Sequence, residues 1–252
     1  MINDETIRKL RELKLPEMVE ILQRQEYDVI YTSMPFDERM QYITDYTYQM
    51  KQDGRLKRLI KSARFRYPNA EINSVHYEKR GLDKRLLFEL GTCAFIGRNH
   101  DIVCSGFTGA GKTYLSCALG KQACKHGYRV RYWRLPDLLE DFTLQCAKLD
   151  GRRKLIRKLQ RFDLLILDEW MSVSLDAAQI AFIFELIESR YQNGSTIFCS
   201  QFAPAEWLSR LGGGPQADAI TDRIVHESVF FDSGELNMRE TIGKQSFSGC
   251  ST

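Results

Sequence analysis

The chain has 252 residues, 43% of them apolar and 27% charged, enough to bury a core without disulfide or metal support. Its 36 Lys and Arg against 33 Asp and Glu leave a formal charge of +3, so only local clustering can point to a polyanionic partner. No run of 18 apolar residues exists, the start MINDETIRKL is polar, and the seven cysteines contain no C-x-x-C pair, which argues against a membrane span, a secretory leader, a disulfide framework and a zinc site.

Residues 1–69 read as a small all-helical domain. Ile7, Leu10, Leu13 and Leu15 begin an apolar face that Val19, Ile21 and Leu22 extend after Pro16. Asp28 to Ser33 reads as a break. Pro35, with Asp37 and Glu38 behind it, opens a helix through Phe36, Met40, Ile43, Thr47 and Met50 that Gly54 is expected to interrupt. Leu56, Leu59, Ile60 and Ala63 then recur at helical spacing up to Tyr67-Pro68. Tyr42, Tyr46 and Tyr48 are expected to pack these helices. Residues 70–100 read as a connector with a short helix over Lys84–Leu90.

From residue 101 to 252 apolar runs alternate with helical patterns. DIVCSG, YRVRYW, DLLILD, STIFCSQ and SVFFDSG are strand candidates, separated by YLSCALGKQACKHG, a helix from Pro136, and AAQIAFIFELIESRYQ. Apolar strands alternating with helices indicate a parallel five-stranded sheet covered on both faces, an α/β fold. The cysteines Cys93, Cys104, Cys117, Cys124, Cys146, Cys199 and Cys250 read as buried reduced thiols of a cytoplasmic protein, and the scattered His76, His100, His126 and His226 suggest no metal site.

Gly106-Phe107-Thr108-Gly109-Ala110-Gly111-Lys112-Thr113 fits G-x-x-x-x-G-K-[ST] between a predicted strand and a predicted helix, with Tyr114 following. Such a loop turns backbone N–H groups toward the phosphates of ATP, with Lys112 at the β- and γ-phosphates and Thr113 on Mg²⁺. The strand Leu164–Leu167 ends in Asp168 and Glu169. Asp168 is expected to hold Mg²⁺ through water and Glu169 to act as the general base. Gln201, at the end of the next strand, is either a water-orienting residue or an ordinary strand-end side chain. Arg223 is either a trans-acting finger for a neighbouring subunit or a surface arginine paired with Asp222 or Glu227.

Two basic clusters stand out. Lys51, Arg55, Lys57, Arg58, Lys61, Arg64 and Arg66 meet only Asp53, and Arg152, Arg153, Lys154, Arg157, Lys158 and Arg161 meet no acid. Both fit a duplex-DNA backbone track, a solvated charged face being the alternative. No base-reading signature accompanies them.

Taken together these residues resemble the IstB family of transposition helper ATPases, relatives of the DnaC helicase loaders and DnaA initiators in the AAA+ class. The resemblance rests on PFDERMQYITDYTYQMKQDGRLKRLIKSARFRYPNAEI, GLDKRLLFEL, GRNHDIVCSGFTGAGKTYLSCALGKQACKHGYRVRYWRLPDLL, FDLLILDEW and ADAITDRIVHES. It departs at Ser200-Gln201, where the family usually has Ser-Asn. The tail GELNMRETIGKQ matches only loosely, which gives Arg239 no secure sensor role. The resemblance implies a P-loop AAA+ core without a C-terminal helical lid. It further implies ATP-dependent self-assembly into a ring or helix on double-stranded DNA, DNA deformation, and delivery of target DNA to a cognate transposase. A DnaC-like helicase loader is the alternative. A small-molecule P-loop kinase is disfavoured by Glu169 beside Asp168 and the polar strand end at Gln201.

Overall fold

The structure, a computed structural model, describes residues 2–75, 81–234 and 237–238. His76, Arg239 and Cys250 lie outside them. The chain divides into two compact units, residues 1–58 and 59–252, so the division falls within a helix rather than near residue 69.

In the first unit, α1 (Asp4–Glu12) is capped by the Asn3 side chain, which accepts the Glu5 N–H, and α2 (Pro16–Tyr27) starts on a proline. Val19, Ile21 and Gln25 of α2 are buried. The expected break at Asp28 to Ser33 instead holds a single helical turn, α3 (Val29–Thr32), because the Asp28 carboxylate accepts the Ile30 N–H at 3.1 Å and caps it. The next helix, α4 (Phe36–Ala63), runs through Gly54 without interruption. One glycine costs about 1 kcal/mol in a helix interior, too little to break a helix 28 residues long. Two of the three expected aromatics pack within this unit: Tyr42 lies 5.2 Å from the Tyr31 ring, and Tyr46 donates to Glu20 at 3.0 Å. Tyr48 is instead 64% exposed.

The second unit continues with a 3-10 turn at Ile72–Ser74, α5 (Lys84–Gly91) and α6 (Ala94–Gly97). Then come β1 (Asp101–Ser105), α7 (Lys112–Lys125), β2 (Val130–Arg134), α8 (Leu135–Cys146), α9 (Gly151–Gln160), β3 (Leu164–Asp168) and α10 (Ala177–Arg190). β4 (Ser195–Ser200), α11 (Pro204–Arg210), α12 (Pro215–His226) and β5 (Ser228–Asp232) follow among the described residues. The five strands form one parallel sheet in the order β2-β3-β4-β1-β5. All five residues of β3 and all six of β4 are buried, as continuous apolar strands require when helices cover both faces.

On one face Val103, Leu165, Leu167 and Phe198 join Leu138, Leu159, Phe182 and Ile220 from α8, α9, α10 and α12. On the other, Ile166 presses on α7 so closely that a Cβ on Gly120 would stand 2.7 Å from its Cδ1. α9 and α11 are helices that the sequence pattern does not announce. In α9 the apolar positions Leu155, Ile156 and Leu159, all buried, are hidden among five basic residues. Among the described residues Cys146 is the exposed cysteine; Cys93, Cys104, Cys117, Cys124 and Cys199 are buried as expected. No helix among the described residues is long and apolar enough to cross a membrane, and no cluster of metal-ligating side chains occurs among them.

At the N-terminal edge of the sheet Arg190 is only 3% exposed. Its guanidinium donates to the carbonyls of Leu159 and Phe162, both at 3.0 Å, to that of Ser195 at 2.5 Å, and to the Thr196 hydroxyl at 3.1 Å. Burial lowers its pKa to about 10, so it stays charged at neutral pH. We predict that Arg190→Ala costs on the order of 3 kcal/mol in urea denaturation, because buried acceptors lose their donor. Arg190→Lys should recover only part of this, since one ammonium cannot reproduce the planar fork.

Candidate functional site

The loop between β1 and α7 is shaped by glycines. Gly111 caps α7 with φ +88°, and a Cβ on Gly106 would come within 2.1 Å of the Ser233 hydroxyl. Both positions therefore favour glycine. Between them Ala110 is fully buried, and the Gly109 carbonyl accepts the Met238 N–H at 3.0 Å. The Lys112 ammonium donates to the carbonyls of Gly106 at 2.6 Å and Phe107 at 2.9 Å, which places a cation at the loop itself.

The strand order brings three loop ends together, since β4 lies between β1 and β3. Thr113 donates its hydroxyl to Asp168 Oδ2 at 2.8 Å, and Thr108 donates to Gln201 Oε1 at 2.7 Å. Asp168 is 2% exposed and accepts two further bonds, from Tyr132 Oη at 2.7 Å and from the Glu169 N–H at 2.9 Å. Burial, with the Asp168 carboxylate beside it, raises the Tyr132 pKa and keeps the phenol a donor. A hydroxyl and a carboxylate at the loop's end are the hard oxygen donors that Mg²⁺ prefers, so the donor set fits that ion.

These groups line a cavity of about 580 Å³, a size suited to a small-molecule ligand. Gly109, Gly111, Lys112, Thr113 and Tyr114 line it with Thr108, Asp168, Glu169 and Gln201, whereas Gly106 and Ala110 do not. Its far wall was not foreseen: Arg66, Tyr67, Ser74 and Val75 come from the segment between α4 and α5. Tyr67 sits 6.1 Å from the Tyr114 ring, and the Tyr114 hydroxyl accepts the Glu71 N–H at 3.3 Å. The signal for this wall is Tyr67 beside Pro68, which the sequence pattern marks only as a helix end.

Glu169 has φ +56° and holds two arginines. Arg134, at the end of β2, reaches it twice, Nε to Oε1 at 3.0 Å and Nη2 to Oε2 at 2.8 Å, and Arg66 donates to Oε1 at 3.4 Å. The Arg134 hydrogen bonds lower the Glu169 pKa, so the carboxylate is ionised at neutral pH. Arg66, counted above among the basic surface residues, thus turns into the cavity instead.

Arg223 does not line the cavity. It pairs with Glu188 of α10 at 2.5 Å and lies 5.5 Å from the Phe184 ring, whereas the surface alternative had paired it with Asp222 or Glu227. Asp222 pairs with His226 four residues on and Glu227 with His100. The reason is helical: neighbouring residues face different directions, and Arg223 faces α10.

The basic clusters differ in detail. In the first unit Lys51, Arg55, Lys57 and Arg58 are exposed, with Lys51 donating to the Lys14 carbonyl at 2.6 Å. Lys61 and Arg64, also exposed, belong to the second unit. On α9, Arg153 and Lys154 are exposed, while Arg152 is engaged by Glu185 at 2.6 Å and the Ala181 carbonyl at 3.1 Å.

Residues 8–246 match the family described as IstB-like ATP binding protein. The chain belongs to that family. It is 36% identical to an IS1162 insertion-sequence protein of Pseudomonas fluorescens named for ATP binding, over 80% of this chain and 87% of that protein. An insertion-sequence protein of Sinorhizobium fredii, also named for ATP binding, is 27% identical over 95% of this chain and 96% of its own. Among solved structures, the DnaC helicase loader superposes with a TM-score of 0.56 at 23% identity, over 66% of this chain and 98% of the loader. DnaA bound to AMPPCP and single-stranded DNA gives 0.57 at 23% identity, over 72% of this chain and 55% of DnaA. The fold is that of the P-loop AAA+ proteins, and the family is one of IstB-like ATP-binding proteins.

The arginine clamp on Glu169 yields a direct test. Its folded-state pKa is depressed, so the charged form persists to lower pH than in a free glutamate and is lost only as pH falls through that depressed value. Arg134→Ala should therefore move the Glu169 titration upward toward the ordinary glutamate range. Carboxyl ¹³C shifts followed against pH would read the change, and an unmoved midpoint would mean that Arg134 does not set this pKa.

Proposed function

We propose that this IstB-like chain is an ATPase that assembles on duplex DNA in the cytoplasm, deforms it and presents it to a cognate transposase, with hydrolysis controlling how long the assembly lasts. The observation that carries the catalytic half is the 2.8 Å contact between Thr113 and Asp168 at the base of a phosphate loop whose cation is Lys112. Gly109, Gly111 and Lys112 would hold the phosphates of ATP, and Tyr67, Val75 and Tyr114 the base. Mg²⁺ held by Thr113 and Asp168 would offset the charge of the phosphates. Glu169, ionised between Arg134 and Arg66, would take a proton from water, and Gln201, held by Thr108, would orient that water. Release of Glu169 from its arginines would be part of activation.

The insertion-sequence relatives support a transposition helper over a helicase loader. The exposed cations of α4 and α9 support contact with the phosphate backbone, without base readout. A homo-oligomer follows if Arg223 leaves Glu188 for a neighbour's nucleotide, since such a head-to-tail contact closes a ring or winds a helix.

Two variants separate binding from hydrolysis. Lys112→Ala should weaken ATP binding on the order of 100-fold, the worth of a charge-assisted contact to phosphate. Glu169→Gln should bind as the natural chain does and lose roughly 10²–10⁴ in turnover. Nucleotide titration and phosphate release measure both, and full turnover in Glu169→Gln would assign the base elsewhere.

Assembly has its own test. Arg223→Ala should bind ATP and hydrolyse it poorly on DNA, by on the order of 10³-fold if the arginine acts as a finger. Mixing it with Lys112→Ala should restore part of the activity, because each variant supplies what the other lacks. Normal turnover of Arg223→Ala on DNA removes the shared site.

A further inference from the structure

We infer that the corner between α8 and α9 is an apolar wedge that enters between stacked base pairs of a DNA duplex held by α9. The inference rests on the DNA-binding reading above and adds the means of deformation.

Leu149, at this corner, is 88% exposed, the highest value for a large apolar side chain among the described residues. A single exposed leucine is ordinary on a protein surface. What sets this one apart is its mounting and its surroundings. The turn that carries it is hydrogen-bonded on both sides of Leu149: Lys148 N–H donates to the Gln145 carbonyl at 2.9 Å, Gly151 N–H to that of Lys148 at 3.0 Å, and Lys154 N–H to that of Asp150 at 2.9 Å. Asp150 takes the left-handed conformation at φ +57°. A Cβ on Gly151 would land 1.9 Å from the Gln145 carbonyl oxygen, so the chain passes there only as glycine.

Both arms of the corner are fixed to the core. Leu138, Leu139 and Phe142 anchor α8, and Leu155, Ile156 and Leu159 anchor α9, all at most 4% exposed. Arg152 adds its tie to Glu185 on α10. Leu149 is therefore held out by a rigid turn, and inserting it costs little ordering.

The surroundings identify the occupant. Residues 145–161 carry seven Lys and Arg against one acid, Asp150. Arg153, Lys154, Arg157 and Lys158 are exposed along α9 directly behind the tip. A protruding apolar side chain flanked by cations is the pairing by which proteins hold a duplex by its phosphates and partly unstack one step, kinking it. A protein partner for the same leucine would be expected to offer an apolar pocket rimmed with acids, and the test distinguishes it.

The experiment uses the full chain with ATP, Mg²⁺ and short duplexes, one carrying 2-aminopurine as a stacking reporter and one carrying a central mismatch. The natural protein should raise 2-aminopurine fluorescence and bind the mismatched duplex on the order of tenfold more tightly than the matched one, because a mismatch lowers the unstacking cost. Leu149→Ala should lose both effects and keep its salt dependence, whereas Leu149→Phe should keep both. Replacing Arg153, Arg157 and Lys158 by Gln should weaken all duplexes alike and flatten the plot of log affinity against log salt by about 0.9 for each phosphate no longer neutralised.

Natural fluorescence and mismatch preference in Leu149→Ala would overturn the wedge and leave DNA binding standing. Loss of self-assembly with unstacking intact would overturn it in favour of a second copy of the chain at this corner. An unchanged affinity and salt slope in the triple variant would overturn the reading of α9 as a DNA surface, and the wedge with it.

Discussion

The site depends on the order in which the five strands pair. Because all run parallel, their C-terminal ends meet at one edge, and because β4 lies between β1 and β3 the phosphate loop and Asp168 stand two inter-strand spacings apart, with Gln201 between them. Adjacent parallel strands lie about 4.8 Å apart. That spacing lets Thr113, just inside α7, reach Asp168, and sets Gln201 within reach of Thr108. No single loop builds the site; the register of β1 on β4 and β4 on β3 does.

Polar groups inside this edge are arranged with little waste. Asp168, almost wholly buried, spends both oxygens on Thr113, Tyr132 and the backbone of Glu169. A buried carboxylate without such partners would carry a large desolvation cost. Glu169, one residue further and on the cavity side, takes its partners from guanidinium groups instead. Two adjacent acids thus have different environments, one held by neutral donors and one by cations, a separation of roles common where carboxylates share a catalytic site.

The strands and the phosphate loop were legible in the sequence because their signals are local. DLLILD is apolar at successive positions, and G-x-x-x-x-G-K-[ST] sits between a strand and a helix. What escaped was non-local or masked. Arg134 closes on Glu169 across 35 residues and Arg66 across 103, distances over which no spacing rule operates. The wall formed by Tyr67 and Val75 depends on how the chain returns to the P-loop. α9 was obscured by its own cations, which hide the buried Leu155, Ile156 and Leu159, and the turn at Val29–Thr32 depends on one cap from Asp28. Gly54 misled because its helical cost is real but small against the length of α4.

Arg190 has a mechanical consequence. One guanidinium binds the carbonyls of Leu159 and Phe162, at and just beyond the end of α9, to Ser195 and Thr196 at the start of β4. The strand then runs six residues, roughly 20 Å, to the position where Gln201 meets the phosphate loop. A hydrogen-bonded strand inside a sheet hardly stretches, so a load applied to the outer surface of α9 cannot displace that helix alone. It would pull on β4 as on a tie-rod, whose far end leads into Gln201 and the cavity it lines.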